Sequence, residues 1–271
     1  MSGETLIAVL PMYNFPWTAA ANDALWAAIS ARLAEAGVQS PTRLTRGGEL
    51  AVLWRHPALI FGQTCGYPYA SGLKDAVTLI AAPEYSFPGC EGASHRSFII
   101  RRASDSRRGL REFRGATAAL NAYDSNTGMN LFRAMIAPIA GGAAFFSSIV
   151  VTGSHEASVA AVDNGQADLA SVDCVSFALL GRGRPELIER VAIVAESPLS
   201  PCLPFIASAS LAAPTIAAVR TALIAALADP DLAETRTALG LTGARAATPA
   251  DYDRVMEIDR DARVAGYARL V

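Results

Sequence analysis

The chain has 271 residues, 52% apolar and 18% charged, a composition that argues against disorder and allows one or two folded domains. Its net charge is −2 and Lys74 is its sole lysine, so it lacks the basic face that a nucleic-acid backbone requires. No apolar run reaches membrane-spanning length without a Gly, Pro, Ser or charge inside it, which argues against membrane insertion.

Strand-like and helix-like segments alternate along the chain. The apolar stretch within Met1–Leu10 has no basic leader, and reads as a first strand (Leu6 to Pro11) rather than a secretion signal. Apolar residues at helical spacing predict a helix over Asn22 to Ala36, stopped at Gly37. Short apolar runs at Ala58 to Gln63, Ala76 to Ala82 and Phe98 to Arg101 predict buried strands. The Arg-rich stretch Arg101 to Arg114 also carries Asp105 and Glu112 and reads as a solvated helix near Ser106 to Phe113, in preference to an anion site. Strands then follow at Ala116 to Ala122, Phe145 to Thr152, Ala167 to Val172 and Val191 to Ala195, with a further one at Leu203 to Ser208. Helices are expected at Leu131 to Ala140, Ser154 to Asn164, Val175 to Leu180 and Ala213 to Leu227, and a last one opens at Pro249.

This alternation predicts an α/β protein with mainly parallel sheets. Pro83 to Gly92 and Ser197 to Pro204 read as linkers, and two crossings imply an inserted lobe. The expected division is 1–85 plus 197–271 for the first lobe and 86–196 for the second.

The residues with chemical potential gather at strand ends. Ser125-Asn126-Thr127-Gly128 lies between a strand and a helix, where orphan N–H groups, hydroxyls and the helix dipole together favour an anion. The same pattern describes an ordinary N-capped helix. A second such junction, Gly153-Ser154-His155, repeats the physics, with His155 as a further donor or as a solvent-facing helix start. Asp173 ends another strand; it suits a ligand carrying a proton or an ammonium, or serves as the N-cap of the next helix. Tyr13, Tyr67 and Tyr69 lie on polar loops at strand ends, able to close over a ligand or merely to pack the loop. Cys65 has no sequence-adjacent base, and Cys65, Cys90, Cys174 and Cys202 show no CxxC spacing, so neither a thiol catalyst nor a metal cluster is expected. No cofactor is expected.

The string from Thr152 through Gly-Ser-His-Glu to Asp168 and Asp173, with the Ser125 to Gly128 turn, resembles the phosphonate-type substrate-binding proteins of ABC importers. The resemblance spans essentially the whole chain. It implies a type II periplasmic-binding-protein fold: two α/β lobes closing on a ligand in the cleft between them. By position, Ser125, Thr127 and Gly128 would hold phosphoryl oxygens, His155 would add a donor, and Asp173 would face the ligand's amino or hydroxyl end. A first-lobe tyrosine would complete the pocket. The implied function is capture of a small oxyanion (phosphonate, phosphate ester or similar) for import, without catalysis. An ABC permease is then the implied partner, and the binding protein itself a monomer or weak dimer. The family implies a periplasmic location, whereas Met1 as the native start would imply the cytoplasm. The alternatives are a cytoplasmic enzyme on the same fold, of the thiamine-pyrimidine or menaquinone-precursor type with Lys74 or Cys65 as its reactive group, and a ligand sensor.

Overall fold

The computed structural model describes residues 5–271; Met1–Glu4, the start of the N-terminal stretch read above as leading into a strand, lie outside the described residues. The strands in chain order are β1 (Ile7–Val9), β2 (Leu59–Gln63), β3 (Val77–Tyr85), β4 (Ser94–His95), β5 (Ser97–Arg102), β6 (Thr117–Leu120), β7 (Ser148–Val151), β8 (Leu169–Asp173), β9 (Val191–Glu196), β10 (Ser200–Pro201), β11 (Phe205–Ser208) and β12 (Leu241–Arg245). The chain divides into two compact units. Among the described residues, one comprises 5–86, 91–93 and 201–252, and the other 87–90, 94–200 and 253–271.

The first unit is built on a sheet of order β1-β2-β11-β3-β12. β1 and β2 are parallel, while β11 runs antiparallel to both β2 and β3, and β12 antiparallel to β3. β2 is buried along its whole length: Leu59 to Phe61 by apolar packing, and Gln63 with its amide donating to Tyr85 Oη and the Leu203 carbonyl at 3.2 and 3.1 Å. Helix Ala19–Glu35 buries Ala21, Asn22, Leu25, Trp26, Ile29 and Leu33, one stripe at helical spacing, and the chain leaves it through Gly37 at φ +72°. β3 continues through Pro83 to Tyr85, so the start of the expected Pro83 to Gly92 linker is strand instead. Pro83 lies beyond the end of the β11 ladder at Ala81, where a missing N–H is tolerated as at a sheet edge.

The second unit is built on a sheet of order β7-β6-β8-β5-β9. β6 is parallel to β7 and β8, and β5 is antiparallel to β8 and β9. Each unit is therefore α/β with a mixed sheet, less parallel than the alternation alone suggests.

Two local expectations are corrected. The helix over Ser106 to Phe113 shrinks to a short 3-10 turn, Leu110–Phe113. Arg101 Nη1 donates to the carbonyls of Arg102, Ala103 and Asp105 (2.9, 3.2 and 2.7 Å), and the Arg107 guanidinium bridges Asp105 and Asp168. The Arg107 amide turns back to Asp105 Oδ1 at 2.8 Å and Gly109 is extended (φ −130°, ψ 150°), so helical backbone begins only at Leu110. The second correction concerns the C-terminus: residues 253–271 belong to the second unit, not the first. Helix Asp253–Val264 packs on helix Leu131–Ala140 through a buried Arg133–Asp259 ion pair. Asn130 Nδ2 donates to the Val255 carbonyl (3.0 Å), Arg133 Nη1 to the Ala268 carbonyl (2.7 Å), and the Phe145 amide to the Val271 carbonyl (2.7 Å).

Candidate functional site

The two strand-to-helix junctions lie in the second unit and are bonded to each other. After β6, Ser125 caps a wide first turn over Asn126–Asn130, its Oγ accepting the Gly128 amide at 3.0 Å, and the chain runs straight into helix Leu131–Ala140. After β7, Ser154 Oγ caps helix His155–Asp163 by accepting the Ala157 amide at 3.0 Å. The parallel pairing of β6 and β7 sets the two helix starts side by side, and the Gly153 amide donates to the Asn121 carbonyl at 3.0 Å. Thr127 Oγ1 and His155 Nε2 lie 3.2 Å apart, joining the two junctions side chain to side chain.

The first turn is held rigidly from beneath. Ser97 Oγ on β5 and Ser171 Oγ on β8 both donate to the Thr127 carbonyl, at 2.8 and 2.5 Å, and Asn126 Nδ2 donates to Ser200 Oγ at 2.8 Å. Ser125, Asn126, Thr127 and Gly128 are all buried, Ser154 is exposed and His155 half-buried. Gly128 has to be glycine for steric reasons, since a Cβ there would stand 1.7 Å from Asn121 Oδ1. Asn121 was not among the expected site residues, although its polar side chain follows β6 directly, four residues before the Ser125 cap. Its Oδ1 is buried without a hydrogen-bond partner among the described residues.

Asp173 ends β8 on the same face as Ser171, two residues earlier. Its carboxylate is almost wholly buried and has two evident partners. Oδ1 accepts the Ser176 amide at 2.7 Å, capping helix Cys174–Gly183, and Oδ2 lies 2.9 Å from His95 Nδ1. Burial, the largest single influence, works to raise this carboxyl, and the electrostatic pull and hydrogen bond of His95 lead the influences that lower it. With help from His155 and the Ser176 amide, they hold it below the usual carboxylate range. Burial pushes the His155 imidazole below its ordinary pKa, against the opposing pull of Asp173. His95 is the second residue that sequence reasoning did not include. It was one of three histidines without a motif, and only the fold brings it to Asp173.

The three tyrosines belong to the first unit and are not alike. Tyr69 is buried, edge-on to Tyr252 with ring centroids 4.9 Å apart, and so contributes to the core. Tyr67 is half-buried, its carbonyl accepting from Ser71 Oγ at 2.7 Å. Tyr13 adopts φ +54°, uncommon for a non-glycine residue, and its carbonyl accepts from Thr18 Oγ1 at 2.7 Å. With Met12, Asn22, Gln63 and Tyr85 it lines a cavity of about 10 Å³, space for one water. Cys65 precedes the short turn Gly66–Pro68, and Lys74 follows the next turn, Tyr69–Leu73. Among the described residues no His, Cys, Asp and Glu side chains group as metal ligands, and no helix is long and apolar enough to cross a membrane.

No curated protein matches the chain. Among solved structures it is similar to the binding-protein component of an ABC phosphonate transporter from Pseudomonas aeruginosa, at 13% identity and a TM-score of 0.78, covering 97% of this chain and 88% of that one. It is also similar to PhnD1 from Prochlorococcus marinus in complex with methylphosphonate (15% identity, TM-score 0.72, 96% and 98% covered). A third similar structure is XAC2383 from Xanthomonas citri bound to ATP (15% identity, TM-score 0.73, 97% and 98% covered). At these identities the structures speak for the fold, which is that of periplasmic binding proteins. The model of the ABC transporter phosphonate periplasmic substrate-binding protein family matches residues 7–252, and the chain belongs to that family.

Proposed function

We propose that the two joined helix starts of the second unit hold the oxygens of a small oxyanion, a phosphonate or phosphate ester, which the chain delivers to an ABC permease. The observation that carries this reading is the 3.2 Å contact between Thr127 Oγ1 and His155 Nε2, which brings the donors of both junctions to one place. At one helix start the Ser125 and Thr127 hydroxyls are the donors, while Gly128 allows close approach and Asn126 anchors the turn on Ser200; Ser154 and His155 supply donors at the other. Both macrodipoles favour negative charge there. All these donors are neutral apart from any proton His155 acquires, so the ligand is held by hydrogen bonds rather than by a cationic clamp. Within the first unit, Tyr13 is the tyrosine best suited to a ligand: its left-handed backbone is pinned by Thr18, and it is half-buried rather than part of the core. Tyr67 is the next candidate, and Tyr69 acts through packing.

A thermal-shift panel of phosphate, phosphite, methylphosphonate, methylsulfonate and acetate tests the reading. A ligand at a hundred times its Kd stabilises the folded chain by about 2.7 kcal/mol. Methylphosphonate or another phosphorus oxyanion should give such a shift, and Thr127→Val, binding about tenfold more weakly, should cut it to about half or less. The reading fails if no oxyanion raises the melting temperature, or if Thr127→Val responds as the parent does.

A further inference from the structure

Resting on the oxyanion reading above, the surroundings of Asp173 bear on which oxyanions are accepted. A carboxylate beside an anion cradle can serve as the acceptor for a ligand ammonium, and here that role is already filled. Asp173 is 1% exposed; Oδ2 lies 2.9 Å from His95 Nδ1, itself fully buried, and Oδ1 accepts the Ser176 amide at 2.7 Å. His95 is fixed in turn by its place in β4, two residues before Ser97, which lies opposite Asp173 in the β5–β8 ladder. Each oxygen keeps a second lone pair, but with the residue 1% exposed a ligand ammonium could reach it only by opening the packing that buries it beside His95 and the helix cap. Two other acids stand near the cradle. Glu156 Oε1 is bridged by Arg184 Nη1 at 2.9 Å, and Asp124 is exposed to water, where an ammonium contact contributes little.

We propose that His95 is a specificity-determining residue: by occupying the Asp173 carboxylate it withholds an ammonium acceptor from the ligand, so the site selects oxyanions with an apolar or small substituent over aminoalkyl ones. Asp173 then positions His95 and the start of the following helix without touching the ligand.

Ethylphosphonate and aminomethylphosphonate test this, because they match in size and differ by a methyl against an ammonium. Calorimetric titration of the full chain should give ethylphosphonate at least about tenfold tighter. Asp173→Asn should change both affinities alike and leave their ratio unaltered, whereas His95→Ala should move the ratio about tenfold toward aminomethylphosphonate. If His95→Ala does not fold, the Asp173→Asn ratio decides. Equal or tighter binding of aminomethylphosphonate, lost selectively in Asp173→Asn, overturns the assignment while leaving the oxyanion reading intact. Failure of both probes, and of methylphosphonate and phosphate, overturns the oxyanion reading and this inference with it.

Discussion

Replacing Gly128 by alanine probes how tightly the first turn of the cradle is built. The added Cβ would stand 1.7 Å from Asn121 Oδ1, 2.9 Å from its Cγ and 3.2 Å from Ser125 Oγ. Asn121 would have to retreat by roughly 1.7 Å to reach ordinary contact, and its Oδ1 is buried, so the retreat is not free. Overpacking of this kind costs about 1–3 kcal/mol. Strain on the Ser125 cap, which is worth about 1 kcal/mol, places the variant toward the upper half of that range. For a chain of this size that corresponds to a fall in Tm of roughly 4–12 °C, read by differential scanning calorimetry. Removing the clashing amide should relieve it: Asn121→Ala with Gly128→Ala should be more stable than the sum of the two single losses, by about 1–2 kcal/mol of coupling. Strict additivity, or a Gly128→Ala variant as stable as the parent, would refute the packing argument.

Asp259→Ala should be among the most destabilising single changes in the second unit, by about 3–5 kcal/mol in a urea titration, because it strands the buried Arg133 guanidinium. Gly89→Ala should also destabilise markedly: φ is +90° there, and a Cβ would meet Cys174 Cβ and Phe98 Cζ at 2.9 Å, so a melt should show a clear drop where an exposed glycine such as Gly92 shows less. The depressed pKa of His155 means the unfolded chain takes up its proton first. Its contribution to stability should therefore be flat above about pH 6.5 and fall as pH drops below that value, and His155→Gln should remove this part of the slope in melts recorded from pH 8 to 5.

The parts of the fold legible in the sequence were those written locally. β2 and β6 are short, mostly apolar runs, and helix Ala19–Glu35 carries its buried stripe at plain 3.6 spacing. Ser125, Ser154 and Asp173 each sit where a strand turns into a helix, and each caps its helix through a side-chain oxygen, which is one of the two uses their position suggested. What could not be read depended on partners distant along the chain. His95 and Asp173 meet only because β5 pairs with β8. Helix Asp253–Val264 has an apolar face that would suit either unit, and the choice is made by the buried Arg133–Asp259 pair and by backbone bonds at Val255, Ala268 and Val271. β12, Leu-Thr-Gly-Ala-Arg, has too weak an apolar pattern to announce itself and is a strand because β3 extends past β11 to receive it. The Arg101 to Arg114 stretch misled because its arginines bond backbone carbonyls rather than solvent.

The central claim is that the helix starts at Ser125 and Ser154 jointly receive an oxyanion, and amide chemical shifts during a methylphosphonate titration of the isotopically labelled full chain test it most directly. The account predicts saturable shifts at Thr127, Gly128 and His155, with the His155 ring signals moving alongside and Thr127→Val weakening the titration about tenfold or more. Saturable shifts that leave residues 125–128 and 154–155 unmoved would contradict it.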